Sequence, residues 1–358
     1  MEKFILTTPD KHIVINEPID HYNSFSGGYQ QILQTKDYIF AGVIPFNSNC
    51  LSTLFISKPH TSFFRSKSSE CNTTKLILLD SETQNCKDVF KTNYLNMQKN
   101  YISKCKQVTI TQDKIFRFDN DISPLDIFIT LQQSNYGSPS FYFTDPIKDD
   151  QYWMGSNPNI YFKKQCQNIY VNTILRSISK YDSLGKVVQR AEAEKILYSE
   201  NTLKEKCILN EAISEKLNSL GTVQTKNNIK LIDVGHVWNL CIPITCHLPS
   251  PYTDLDDIIN TLKSNTMTNL ESIYPTYEKT IHSETVSEFN GGLVGWVDSN
   301  NDAEFLITNQ LLNYDSGTNK LLIRSSLNIT PESDYLSSQH KLEQLFSTAE
   351  SKLQHISH

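Results

Sequence analysis

Residues 289–308 read FNGGLVGWVDSNNDAEFLIT, and this segment is the most distinctive one in the chain. Its glycine pair, Gly291 and Gly292, permits close backbone packing or a positive φ at a tight entry into a strand. The polar stretch Asp298–Asp302 has the composition of a hairpin turn, and Glu304–Thr308 has the composition of a strand. The segment therefore predicts a β-hairpin, which by itself could belong to many folds.

Working outward, other short runs rich in β-branched and aromatic residues predict further strands. They are Tyr38–Ile44, Gln107–Phe118, Ser140–Thr144, Asn159–Phe162, Asn168–Leu175, Ile229–Val234 and Leu321–Ile323. Three longer segments have apolar residues near helical spacing: Leu184–Leu220, expected as a broken helix, Thr253–Ile273 and Asp334–His355. Because strands and helices do not alternate regularly, we expect an α+β fold rather than a doubly wound sheet.

The composition excludes several classes of protein. The net charge of -6 is spread over 358 residues without a basic stripe, so we expect no nucleic-acid partner. No segment approaches the roughly 20 apolar residues of a membrane span, and the first residues lack the pattern of a secretory signal, so we expect a cytoplasmic protein without a membrane partner. The eight cysteines include no C-x-x-C pair, which argues against a structural zinc site and favours free thiols.

The segment 289–308 resembles the F-G-G-x-x-G-W-x-D-x-x-G-x-G-E-W-x-V-x-I-R block of isochorismate synthases and the related salicylate and anthranilate synthases. Other blocks similar to this family follow in the family's order, at 41–47, 154–160, 198–205, 273–276 and 334–342. The chain thus resembles the chorismate-utilising enzymes, nearest to isochorismate synthases, from about Phe4 to Leu353. The resemblance implies an α+β fold with large antiparallel sheets flanked by helices. It also implies one domain, 1–358, with 1–95 as the N-terminal part and 96–358 as the site-bearing core.

The resemblance further implies a magnesium site. In isochorismate synthases a Mg²⁺ ion holds the ring carboxylate of the substrate through two glutamates, and these positions fall on Glu205 and Asp334 here, with Glu200 nearby as a candidate catalytic carboxylate. Magnesium prefers oxygen ligands and keeps several waters, so a bridging water can compensate for the shorter side chain of Asp334. The alternative is that all three are solvated helix carboxylates.

Several positions that carry the family's chemistry are changed. The family's general base, a lysine, falls on Lys106, although Lys104 competes for the alignment. The glutamate that protonates the departing hydroxyl corresponds to Asn159, a histidine corresponds to Asn239, and an arginine corresponds to Asn309. An amide does not donate a proton as a carboxylic acid does, and the lost guanidinium would have paired with a substrate carboxylate. These changes argue against ordinary isochorismate synthesis.

Two glycine-containing segments of the family carry an arginine here. The A-G-S turn reads Leu175-Arg176-Ser177, and the A-G-A-G strand reads Ile323-Arg324-Ser325-Ser326. Three interpretations stay open: the arginines bind a different anion, they pair with Glu205, Asp334 and neighbouring carboxylates and close the site, or they face solvent. The candidate substrate-binding residues are therefore Arg176, Ser177, Asn159, Asn239, Asn309, Arg324, Ser325 and Lys341.

Three functions remain open from the sequence. The first is an enzyme of altered chemistry in specialised-metabolite biosynthesis that acts on a chorismate-derived or other small anionic metabolite. The second is an inactive homologue that binds a metabolite or a partner protein of the pathway. The third is a true isochorismate synthase whose catalytic groups lie at other positions. In each case we expect a monomer or a weak dimer.

Overall fold

The structure is a computed structural model of the chain. It describes residues 2–8, 10–45, 52–58, 73–74, 76–78, 90–92, 94–96, 99, 108–134, 138–145, 147–156, 159–180, 186–198, 211, 213–225, 229–234, 237–266, 289, 292–308, 311–329, 334–353 and 356–357. Among these residues no helix is long and apolar enough to cross a membrane.

The strands dominate the described part of the chain. In chain order they are β1 (Phe4–Thr7), β2 (His12–Ile15), β3 (Asp20–Tyr22), β4 (Ile39–Ile44), β5 (Thr53–Ser57), β6 (Thr73–Thr74), β7 (Leu76–Leu78), β8 (Val108–Phe118), β9 (Ser140–Thr144), β10 (Gln151–Ser156), β11 (Asn159–Gln165), β12 (Asn168–Ser179), β13 (Thr222–Thr225), β14 (Lys230–Val234), β15 (Val237–His247), β16 (Leu293–Asp298), β17 (Ala303–Ile307), β18 (Leu311–Asp315), β19 (Lys320–Ile329) and β20 (Ile356–Ser357). The helices are α1 (Phe25–Ile32), α2 (Pro124–Ser134), α3 (Arg190–Leu197), α4 (Leu255–Thr266) and α5 (Tyr335–Leu353), and residues 90–92, 94–96, 99, 211 and 213–220 are also helical.

Two large sheets with antiparallel neighbours organise these strands. Sheet A has eight strands in the order β2-β1-β9-β10-β18-β19-β8-β7. Sheet B has ten strands in the order β13-β15-β12-β11-β17-β16-β4-β5-β3, with β14 also paired to β15. Strands β6 and β20 form a separate pair. The expected α+β fold with large antiparallel sheets is confirmed, and strands from the first 95 residues enter both sheets.

The two sheets pack face to face, and helices cover their other faces. One apolar cluster, which includes Phe4, Phe143, Val294 and Leu306, lies between the sheets and defines what we call the inner face of each. A second cluster packs α2 and α5 on sheet A, and a third packs α1, α4 and residues 213–220 on sheet B. Since both faces of each sheet are covered, strands such as β4 are buried at every residue.

Most sequence-predicted elements are confirmed, with shifted ends. Ser140–Thr144 is reproduced without change, whereas the strand predicted from Leu321 to Ile323 extends over Lys320–Ile329. The segment 184–220 is broken as expected, into α3 and the helix at 213–220. Residues 267–273 of the predicted second helix lie outside the described residues. Strands β1, β2, β3, β5, β6, β7, β10, β13, β15, β18 and β20 and helices α1 and α2 were not predicted.

The hairpin predicted from residues 289–308 is present as β16 and β17. Asp298 starts its turn, because Oδ1 of this residue accepts the backbone N–H groups of Asn300 and Asp302 at 3.0 Å each. Asn301 has a φ of 62°, a left-handed value that asparagine tolerates better than most residues. At the entry to β16, a Cβ on Gly292 would lie 2.5 Å from the carbonyl oxygen of Ile44, so the expected close backbone packing is confirmed there.

A buried polar network ties this turn to the helices outside sheet B. The side-chain amide of Asn301, fully buried, donates to the carbonyl oxygens of Pro251 and Thr253 at 3.0 Å each and accepts from the Tyr29 hydroxyl at 2.8 Å. Lys164 of β11, also buried, donates from Nζ to the carbonyl oxygens of Asn301 and Pro251 at 2.6 and 2.7 Å. The network thus joins the hairpin, α1 and the segment that leads into α4.

A second polar group lies on the inner face beside the hairpin. Glu304 of β17 is buried, and its Oε2 accepts the Thr8 hydroxyl at 3.0 Å. Burial raises the pKa of Glu304 above its ordinary value, and the Thr8 hydrogen bond opposes this shift. Trp296 lies opposite Glu304 in the sheet, and Lys11 Nζ is 3.2 Å from the centroid of the Trp296 ring. The same ammonium lies 3.8 Å from Asp298 Oδ2.

Replacing Asn301 by Ala should lower the free energy of unfolding by about 3 kcal/mol, because three buried hydrogen bonds are lost and their partners stay desolvated. Asn301→Gly keeps the left-handed φ accessible and should recover only the small backbone part of this loss. Asn300→Ala, at the exposed neighbouring position, is the control and should change stability by less than about 0.5 kcal/mol. Urea unfolding measures all three, and equal losses at both positions would contradict the network.

Replacing Glu304 by Gln should remove one pH-dependent part of the stability. Because the pKa of Glu304 is raised from 4.5 in the folded protein, the folded state keeps a proton that the unfolded chain releases. This contribution to the free energy of unfolding is complete below pH 4.5 and is lost as the pH rises through the raised pKa. The free energies of unfolding of the wild type and Glu304→Gln, measured across this pH range, should therefore depend on pH with different slopes. Thr8→Val removes the hydrogen bond that opposes the raised pKa of Glu304, so the loss of stability should continue to higher pH. If the free energy of unfolding depends on pH in the same way in all three proteins, Glu304 is not the group responsible.

Candidate active site

The structure describes the candidate site residues to different extents. Lys106, Glu200, Glu205 and Asn309 lie outside the described residues, so the roles predicted for them stay predictions. For Asn159, Arg176 and Ser177 the strand position is described, but not the side chain. The side chains that the structure places are those of Asn239, Arg324, Ser325, Asp334 and Lys341.

Arg324 forms a two-point ion pair with Asp113, a residue that the sequence analysis did not single out. The two residues lie directly opposite each other on the neighbouring strands β19 and β8. Arg324 Nε donates to Asp113 Oδ1 at 2.6 Å, and Arg324 Nη2 donates to Asp113 Oδ2 at 2.5 Å. The arginine side chain is 2% exposed and the aspartate side chain is 26% exposed. Of the interpretations left open for Arg324, the structure shows pairing with a carboxylate, and the partner that it describes is Asp113.

The pair lies on the inner face of sheet A. Side chains of a strand alternate between the two faces, and Ile323 packs in the cluster beneath α2 and α5. Arg324 therefore projects to the opposite face, as does Leu311, its partner on β18, which packs between the sheets. Ser325 returns to the helix-covered face, where its Oγ is buried without a hydrogen-bond partner in the described structure. Arg324 and Ser325 thus do not line the same side of the sheet.

On sheet B the candidate positions come together on β12 and β15. Ser177 pairs in register with Asn239, and Arg176 pairs with Leu240. Asn239 is buried, and its neighbour Leu240 packs in the cluster around α3, so Asn239 projects to the inner face. The family's glycine turn is not a turn here, because β12 continues through it with a register shift between Ile174 and Arg176. Asn239 offers an amide donor and an amide acceptor, but no titratable proton.

The predicted metal ligand Asp334 caps α5. It is exposed, and its Oδ2 accepts the Ser337 N–H at 2.8 Å, as expected for an acidic residue at a helix N-terminus. Lys341, two turns further along, is also exposed. Within the described ranges no group of three or more His, Cys, Asp or Glu side chains is close enough to hold a metal ion. Because Glu205 lies outside these ranges, magnesium binding stays a prediction.

Helix α5 is held on sheet A by a charged contact that the sequence analysis also missed. Lys114 of β8, beside Asp113, projects to the helix-covered face and has its Nζ 3.4 Å from Glu343 Oε2 and 3.2 Å from Glu350 Oε1. The ammonium also lies 4.8 Å from the centroid of the Phe346 ring. Two adjacent charged residues inside the otherwise β-like run 107–118 were a visible signal, since buried charges require partners.

Comparisons with known proteins agree with this architecture. The sequence matches the model of the chorismate binding enzyme family over residues 78–338. A search of curated protein sequences found no match. Among solved structures, the fold is shared with the putative 2,3-dihydroxybenzoate-specific isochorismate synthase DhbC from Bacillus anthracis, with a TM-score of 0.79, 17% identity and coverage of 98% of this chain and 96% of that chain.

Two further solved structures are similar. The menaquinone-specific isochorismate synthase MenF from Escherichia coli has a TM-score of 0.76 and 12% identity, and the match covers 99% of this chain and 89% of that chain. Anthranilate synthase component I from Streptococcus pneumoniae has a TM-score of 0.63 and 11% identity, covering 98% and 92%. At these identities the structures establish a shared fold, while the family model spans residues 78–338. The chain is therefore a member of the chorismate binding enzyme family.

Proposed function

We propose that this protein is an isochorismate synthase-like enzyme with a remodelled active site, which acts on a chorismate-derived or other small anionic metabolite in specialised-metabolite biosynthesis. The observation that supports the proposal best is the Arg324–Asp113 ion pair. The resemblance puts Arg324 in a strand where the family has glycine and alanine. A guanidinium at this place fills space that glycine leaves open and adds to the inner face a charged side chain, which here pairs with Asp113.

The residues expected to move protons support the same proposal. Ordinary isochorismate synthesis needs an acid that protonates the departing hydroxyl, and the resemblance puts Asn159 at that position. The histidine of the family is replaced by Asn239, which is buried at the inner face of β15. Neither amide acts as a general acid near neutral pH, so a reaction of this enzyme must place its acid elsewhere or do without one.

A second candidate function is a homologue that binds a metabolite or a partner protein without catalysis. One observation favours it: the Nε–Nη2 edge of Arg324 already holds Asp113, so the new arginine does not offer this edge to a substrate. Turnover and binding experiments separate the two candidates.

Purified protein incubated with chorismate and Mg²⁺ should yield no isochorismate, salicylate or pyruvate, because the acid position carries an amide. Chromatography with mass detection follows these compounds, and MenF from Escherichia coli serves as the positive control. Repeated turnover of chorismate into another product supports the altered enzyme. Calorimetric binding without turnover supports the inactive homologue. Isochorismate formation by the wild type would contradict both.

The double variant Asn159→Glu/Asn309→Arg should gain measurable isochorismate formation, because it restores an acid and a guanidinium at the positions given by the resemblance. The matched control Asn159→Gln/Asn309→Lys has side chains of similar length, but Gln donates no catalytic proton and Lys lacks the two-point fork. It should stay inactive. Failure of the first variant, if folded, would count against the residue correspondence on which the proposal depends.

A further inference from the structure

The Arg324–Asp113 pair has the geometry in which an arginine receives the carboxylate of a ligand. Each carboxylate oxygen of Asp113 takes one N–H from the same edge of the guanidinium, at 2.6 and 2.5 Å. Side-on pairing of this kind is the strongest way in which arginine binds a carboxylate. A ligand carboxylate approaching Arg324 by this edge would need the two oxygen positions that Asp113 occupies.

We propose that Asp113 is a specificity-determining residue that takes the place of a ligand carboxylate on Arg324. The proposal rests on the proposed function, since it requires the inner face around Arg324 to belong to the substrate site. With Asp113 in place, the pair is neutral overall, and the site accepts a metabolite that has no carboxylate at this end. Without Asp113, the same guanidinium would select a carboxylate at that point.

The burial of the two partners supports this role. The Arg324 side chain is 2% exposed, whereas that of Asp113 is 26% exposed, so solvent reaches the pair from the side of the carboxylate. A ligand would arrive from that side. By contrast, the adjacent Lys114 finds both of its carboxylate partners on α5, on the face away from sheet B.

The stability of the fold does not by itself explain why the chain has the Arg324–Asp113 pair. A buried ion pair gains little over well-packed apolar residues, because the cost of desolvating two charges offsets their attraction. Removing one partner is costly, however, because the other charge stays buried and loses the hydrogen bonds of the pair. Without Asp113, the Nε–Nη2 edge of Arg324 loses both of the oxygens that accept its hydrogen bonds, and a ligand carboxylate can supply them, which makes the proposal measurable.

The test measures ligand binding to full-length Asp113→Ala by isothermal titration calorimetry, with formate, benzoate and chorismate as probes. We expect Asp113→Ala to bind benzoate and chorismate at least about tenfold more tightly than the wild type, the gain of one charge-assisted hydrogen bond at its lower limit. The gain should disappear in Asp113→Ala/Arg324→Gln. The control Asp149→Ala removes an exposed aspartate with the same change in net charge and should bind as the wild type does.

A purely structural ion pair gives a different pattern. Formate alone would then bind Asp113→Ala, because it fits the space of the lost carboxylate, while the ring acids would show no gain, and this outcome overturns the proposal. A gain that survives Arg324→Gln overturns it as well. If Asp113→Ala does not fold, Asp113→Ser carries the same expectations with a polar group beside the guanidinium. Failure of the proposed function is recognised separately, because isochorismate formation by the wild-type protein would show it.

Discussion

The amide of Asn301 bonds the central hairpin of sheet B to the helices that cover it, and the rest of the sandwich depends on this contact. Its three hydrogen bonds reach Tyr29 on α1 and two carbonyl groups before α4. Lys164 completes the network from β11, the strand on the other side of β17. Leaving these buried polar groups without partners would cost free energy, so the network favours this one register of the turn.

The sequence reveals the parts of this fold that depend on local patterns. The hairpin of β16 and β17 follows from its turn residues, and α5 follows from the spacing of its apolar residues. Strand β15 was missed, and Pro243 at its centre explains why, because a proline usually argues against an interior strand. In the structure, β14 pairs with residues up to Cys241 and β13 pairs with residues from Ile244 onward. Pro243 lies between them, so on this edge of β15 its missing N–H interrupts neither the β13 nor the β14 pairing.

The candidate site was less accessible to sequence reasoning. The resemblance identified Arg324 as an unusual residue, but not its partner, because Asp113 is 211 positions away in the chain and meets it only through the pairing of β8 with β19. A single sequence contains no information about which distant strands become neighbours. Likewise, the alternation of Arg324 and Ser325 between opposite faces depends on strand register, so two adjacent candidates could not be separated before the fold was known.

Strand β8 presents charges of opposite sign to the two sides of sheet A, Asp113 toward sheet B and Lys114 toward α5. A slip of one residue against β19 would exchange these environments. An ammonium would then confront the arginine, and a carboxylate would confront two glutamates, in surroundings where repulsion is weakly screened. Electrostatic repulsion thus destabilises chains in which β8 pairs in a shifted register. A single-residue insertion in this strand should be tolerated far less readily than a substitution.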